Sequence, residues 1–223
     1  MITKKQLSTT IVENLLLSHN HDYSSKRYSK ISEFNLYHYT VGSKVGDILK
    51  SGFLKPSDGL LLSGEKPVLW FSKNPRFEYT SLKMIRNKEN GEFINNTFEI
   101  QHELFQNVRF VVNCNPKDYR NEFMMREWTE INLLSNTPSF LKKSLEKSGR
   151  RMGGNPIDWC GTLNEIPLKR LKFQVWNSNN QEWVDQDIKS WLNPETTSNK
   201  VVKLKVTVKE TMKSLLSQFT SNN

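Results

Sequence analysis

Apolar positions along this chain fall in short, separated runs. Their spacing switches repeatedly between the three-to-four repeat of a helix and the alternation of a strand. Residues 3–19 place Ile11, Val12, Leu15 and Leu16 at helical spacing, and a polar connector follows from Asn20 to Ser32. Phe34-Asn35-Leu36-Tyr37-His38-Tyr39 alternates and predicts a strand. Ser43 reads as the N-cap of a helix over 44–51, with Val45, Ile48 and Leu49 inward and Gly52 just past its end. Val68-Leu69-Trp70-Phe71-Ser72 predicts a short buried strand, ended by Lys73-Asn74-Pro75.

The middle of the chain predicts a short helix within 76–86 and a loop over 87–96. Strands are expected at 97–102, 108–113 and 127–134, with a helical stretch over 116–126. A basic helix is expected at 139–149, a Gly-rich loop at 150–156, and core strands at 158–163 and 171–176. Residues 181–193 place Trp183 and Trp191 on a short helix. The alternation over 201–208 suits an edge strand, and 207–219 reads equally well as a terminal helix.

This order, with strands in succession and few helices between them, predicts an α+β fold rather than the βαβα repeat of a doubly wound sheet. No GxGxxG follows a strand, and Gly153-Gly154 alone is too little for a phosphate loop. The chain divides into an N-terminal helix and connector (1–32), a core (33–195) and a basic extension (196–223).

Charge and composition narrow the setting. The 223 residues carry a net charge of +9, concentrated in the N-terminal arm, at 142–151 and in the tail after residue 200. Such clusters serve solubility or attract phosphate backbones, and no recognised nucleic-acid module accompanies them. Two cysteines, Cys114 and Cys160, make no disulfide framework and no metal-ligand spacing, so a reduced cytoplasm is the simplest home. No apolar run reaches the length of a membrane span, and neither a membrane nor a metal partner is expected. His19 and His21 lie in the polar connector, and His102 is isolated. Cys160 has no base beside it and reads as a small buried residue.

The residues able to do chemistry gather between Tyr37 and Ser81. Tyr37-His38-Tyr39-Thr40 precedes an amphipathic helix, which exits through Ser51-Gly52-Phe53-Leu54-Lys55-Pro56. Trp70-Phe71-Ser72 and Tyr79 follow. Aromatic faces can stack on a flat heteroaromatic ring, while imidazole supplies a directional hydrogen bond. Over residues 36–82 this arrangement resembles the first half of the diphtheria-toxin-like and poly-ADP-ribose-polymerase-like ADP-ribosyltransferases, the His-Tyr-Glu class.

The resemblance implies split mixed or antiparallel sheets with flanking helices, and NAD as substrate. His38 would bond the ribose on the adenosine side, with Tyr39 and Thr40 beside it. Phe71, Ser72 and Tyr79 would receive the nicotinamide. Tyr39 stands where the class has Gly, and Phe71 where it has Tyr. Its catalytic Glu opens a later strand, where Glu127 and Glu130 compete, and on an extended segment only one of them faces the site. Glu127 is preferred because it begins the strand beside Trp128, as in bacterial and phage relatives that open with His-Tyr-Thr. The implied activity is mono-ADP-ribosyl transfer to a protein or nucleic acid. Two other functions remain open: a catalytically silent member that binds a nucleotide or a partner, and a basic nucleic-acid-binding protein of a phage or mobile element.

Overall fold

The computed structural model describes residues 33–57, 61–86, 93–94 and 96–191. The expected N-terminal helix, the connector and the strand or helix beyond residue 200 lie outside the described residues. The fold is α+β. Its frame is a seven-stranded sheet in which every pairing is antiparallel.

Strand β1 (Phe34–Val41) sits at the centre, and each of its eight residues pairs with β6 (Asn107–Cys114). On its other side lies β3 (Leu69–Ser72), followed by β8 (Trp159–Thr162) and the two-residue edge strand β7 (Arg126–Glu127). Beyond β6 come β10 (Lys172–Asn177) and the edge strand β11 (Glu182–Gln186). Two ribbons flank the sheet: β2 (Phe53–Leu54) with β9 (Ile166–Pro167), and β4 (Ile85–Arg86) with β5 (Phe93–Ile94).

Because both faces of the central strands are covered, β6 is buried along nearly its whole length and reads as a continuous apolar run. One face, with Leu36, Leu69, Phe71, Phe110 and Cys160, builds the main core together with Val45, Tyr119 and Ile166. The other face presents Tyr37, Tyr39 and Val111, which pack with Phe77, Phe98 and Trp183.

Helix α1 (Gly42–Ser51) begins one residue before the expected Ser43 cap, and Val41 supplies no side-chain cap. The strand runs straight into the helix, and the Gly42 N–H bonds Gln106 instead. A Cβ at Gly42 would stand 3.0 Å from the Phe105 carbonyl and from the Trp191 ring, so glycine permits this junction. Gly52 closes the helix at φ 73°, as its sequence position implied, and donates to the Ile48 and Leu49 carbonyls.

Several expected elements are corrected. Residues 97–102 are not a strand but enter helix α2 (Phe98–Phe105), capped by the Thr97 hydroxyl, with Gln101 and Leu104 inward. The strand expected over 127–134 lasts only to Glu127. Helix α3 (Trp128–Leu134) follows, burying Trp128, Ile131 and Asn132 at helical spacing. The helix expected within 76–86 reduces to a 3-10 turn, Tyr79–Ser81, whereas the stretch expected over 116–126 is helical over 116–122, ending in a π turn, Asp118–Glu122. The basic helix α4 (Ser139–Arg151) runs into the expected Gly-rich loop. Trp183 lies on a strand, and Trp191 on helix α5 (Ile188–Trp191).

Candidate functional site

The paired register between β1 and β3 is a single pair, Tyr37 with Ser72. Next to it on β1, His38 turns its ring to the Trp70 carbonyl, 2.9 Å from Nδ1. A carbonyl only accepts, so the neutral ring carries its proton on Nδ1 and leaves the Nε2 lone pair available. Burial is the main force holding the imidazole neutral, with its pKa lowered to about 4. The Trp70 hydrogen bond opposes that shift, and the Lys83 charge adds to it. The ring packs against Phe71 and Phe110 at centroid distances of 5.7 and 6.5 Å.

A cavity of about 420 Å³ opens at this point. That is within the range of small-ligand sites, about 300–1,000 Å³. Strand β1 contributes Tyr37, His38 and Tyr39, and β3 contributes Trp70, Phe71 and Ser72. Trp128 of α3 and Trp159 of β8 complete an aromatic wall, with Leu145 of α4 beside them in the lining. Trp128 joins the other two indoles, at 5.5 Å from Trp70 and 5.0 Å from Trp159.

The tyrosine side of the wall is fixed from behind. The Arg109 guanidinium lies 4.3 Å from the Tyr37 ring centre and 4.4 Å from that of Trp183. It donates to Gln174, to the Pro75 carbonyl and to the Tyr39 hydroxyl. Tyr39 in turn donates to the Asn74 carbonyl at 2.6 Å. Burial pushes the Tyr39 phenol well above its ordinary range, and Arg109 offsets part of that. Tyr39 is therefore a neutral donor locked into the wall.

Among the described residues, one carboxylate lines the cavity: Glu78. It is 7% exposed. Ser72 Oγ donates to its Oε2 at 3.0 Å, while the Thr80 N–H and hydroxyl donate to Oε1 at 3.2 and 2.8 Å. Sequence reading passed over it. The usable signal was its place as cap of a turn, two residues before Thr80 and six after Ser72. Two glycines let the chain close behind this carboxylate. A Cβ at Gly154 would lie 2.8 Å from Glu78 Oε1, and one at Gly149 would lie 2.4 Å from the Trp159 ring.

The carboxylates expected from sequence lie elsewhere. Glu127 does not line the cavity. Lys73 donates to both its oxygens at 2.7 and 2.6 Å, and the Tyr119 hydroxyl to Oε1 at 3.3 Å. Glu130 sits in the first turn of α3, 3.8 Å from Arg120, and is also absent from the wall. Because the chain turns helical at Trp128, the rule that alternating strand residues face opposite ways does not apply to this pair. The structure thus brings His38, Tyr39, Phe71 and Ser72 to one cavity. Thr40 is buried outside its lining. Tyr79 is 44% exposed, packed edge-on against Phe77 and beside Gly153. Glu78, Trp128, Trp159 and Lys83 are among the lining residues that the sequence reading did not assign to the site.

Comparison with family models, with curated proteins and with solved structures finds no match. Among the described residues no helix is long and apolar enough to cross a membrane, and no group of three or more His, Cys, Asp and Glu side chains could hold a metal ion.

Proposed function

We propose that the cavity receives the nucleoside end of NAD and that the chain is a mono-ADP-ribosyltransferase acting on a protein or nucleic-acid acceptor. The observation that carries this reading is the convergence of three things in one cleft: a neutral imidazole, an aromatic wall and a buried carboxylate. Indole and phenol faces suit a flat pyridinium or purine ring. His38 Nε2 can accept a hydrogen bond from a ribose hydroxyl.

In the reaction the bond between nicotinamide and ribose breaks, and its electron pair leaves with the ring nitrogen, which becomes neutral. Positive character builds at the anomeric carbon, as in glycoside cleavage. Glu78 stabilises that charge, because its hydrogen bonds come from neutral donors and, among the described residues, no cation lies within ion-pair distance of it. The acceptor nucleophile then bonds the anomeric carbon and gives up its proton to solvent or to the carboxylate.

The test is release of nicotinamide from NAD by wild type, Glu78→Gln, His38→Ala and Glu127→Gln. Release that Glu78→Gln abolishes supports the reading. Release lost in Glu127→Gln but kept in Glu78→Gln moves the catalytic role to Glu127. A second reading, a silent nucleotide-binding protein, is favoured by the Lys73 clamp on Glu127. It predicts that wild type binds NAD without turnover.

A further inference from the structure

We infer that the outward face of helix α4, with the half-exposed indole of Trp70 beside it, is a binding surface for a single nucleic-acid strand, held by its phosphates and stacked through a base. Helix α4 carries Lys142, Lys143, Lys147, Arg150 and Arg151 against one acid, Glu146. Lys143, Lys147 and Arg151 recur every fourth residue, about 6 Å apart along the axis, and all three are exposed. They form one ridge of like charges at a spacing where such charges repel. Lys142 adds a cation in the first turn, where the helix dipole is already positive. Glu146 stands three or four residues from Lys142, Lys143 and Arg150, but its carboxylate accepts from the Trp128 indole N–H instead. Among the described residues, none of the five cations is in an ion pair. A polyanion laid along the ridge would relieve a repulsion that works against the helix's own stability.

The ridge alone suits any polyanion, and its surroundings select among them. Leu145, two residues from both Lys143 and Lys147, lines the aromatic cavity. Trp128, bonded to Glu146 of the same helix, lies 5.5 Å from Trp70. Trp70 also lines the cavity and keeps 37% of its surface exposed. Cations and an accessible indole around one cleft meet the two demands of a single strand: phosphates that release counterions on binding, and bases whose faces are free to stack. A duplex keeps its base faces covered, and an acidic polypeptide has no base to offer. Binding of the strand does not depend on group transfer. Only its role as the acceptor rests on the transferase reading.

The experiment is anisotropy titration of a labelled oligothymidylate with the full chain over a series of salt concentrations. Wild type should bind the strand more tightly than a duplex of equal length, with affinity falling steeply as salt rises. Lys143→Gln, Lys147→Gln and Arg150→Gln combined should weaken binding at least about tenfold and reduce the log–log salt slope by about 2. That variant should unfold at the same or a higher urea concentration than wild type, so lost binding is not lost folding. Lys143→Arg with Lys147→Arg should retain binding. Trp70→Ala should weaken it about fivefold or more with the salt slope unchanged. Lys172→Gln, on β10 toward the opposite side of the sheet, should change neither. Binding that survives the triple variant, or falls as much in Lys172→Gln, overturns the inference. So does a duplex or polyglutamate bound as tightly as the strand, or a Trp70→Ala variant that binds like wild type. Nicotinamide release without strand binding sinks this surface alone. Strand binding without release sinks the transferase reading alone.

Discussion

Glu78 and Glu127 are both carboxylates with short hydrogen bonds, and the groups that hold them set their chemistry apart. Glu127 is gripped through both oxygens by an ammonium group and is 30% exposed. Glu78 is buried against two hydroxyls and one amide N–H. Pairing with a full positive charge spends a carboxylate's field locally, whereas neutral donors orient it and leave that field for a ligand. The Glu127 region therefore ties β7 to β3, and the Glu78 region is the one that the proposed reaction would use.

The sharpest way to break this contrast is catalytic. Glu78→Gln should lower nicotinamide release by roughly 10²–10³-fold, and Glu127→Gln by less than about tenfold. Equal losses would dissolve the distinction. The wall behind Glu78 comes next. Gly149→Ala should destabilise the fold by about 1–3 kcal/mol in urea unfolding, because its methyl would press on the Trp159 indole. Gly46→Ala, in open space within α1, should instead stabilise it by about 0.5–1 kcal/mol.

A pH series separates the two regions further. His38 takes a proton near pH 6.5 when unfolded but only near 4 when folded. Between those values the unfolded chain binds more protons, so this group's stabilising contribution shrinks as pH falls from about 6.5 to about 4 and then levels off. Comparing urea midpoints of wild type and His38→Gln across that window should reveal a difference in slope worth about 1–3 kcal/mol in total. On the Glu127 side, Lys73→Met should cost about 1–2 kcal/mol, with the gap to wild type narrowing in high salt. A cost that ignores salt would mean that packing, not charge, joins Lys73 to β7.

Much of this arrangement was legible in the residues. The alternation of Phe34–Val41 and the apolar run into Ser72 located the strands that hold His38 and Phe71. Gly52 marked the end of α1 by its need for a left-handed backbone. What was hidden depended on contacts distant in sequence. Phe98 and Ile100 alternate as in a strand, but the Thr97 cap and burial of Gln101 and Leu104 favour a helix. Trp128, Ile131 and Asn132 share a helical face that only the packed core reveals. Glu78 was passed over, since nothing nearby in sequence announces that Trp159 and Gly154 will enclose it.

That enclosure has a mechanical consequence. Helix α4 meets the sheet through Gly149, with no side chain as a cushion, and its Leu145 forms part of the cavity lining. Trp128 of α3 also bonds Glu146 on the same helix. Its outward-facing cations and the cleft's interior are thus opposite sides of one rigid partition. A macromolecule gripping Lys143, Lys147 or Arg150 would push directly on the chamber in which Glu78 sits, with no intervening layer to absorb the displacement.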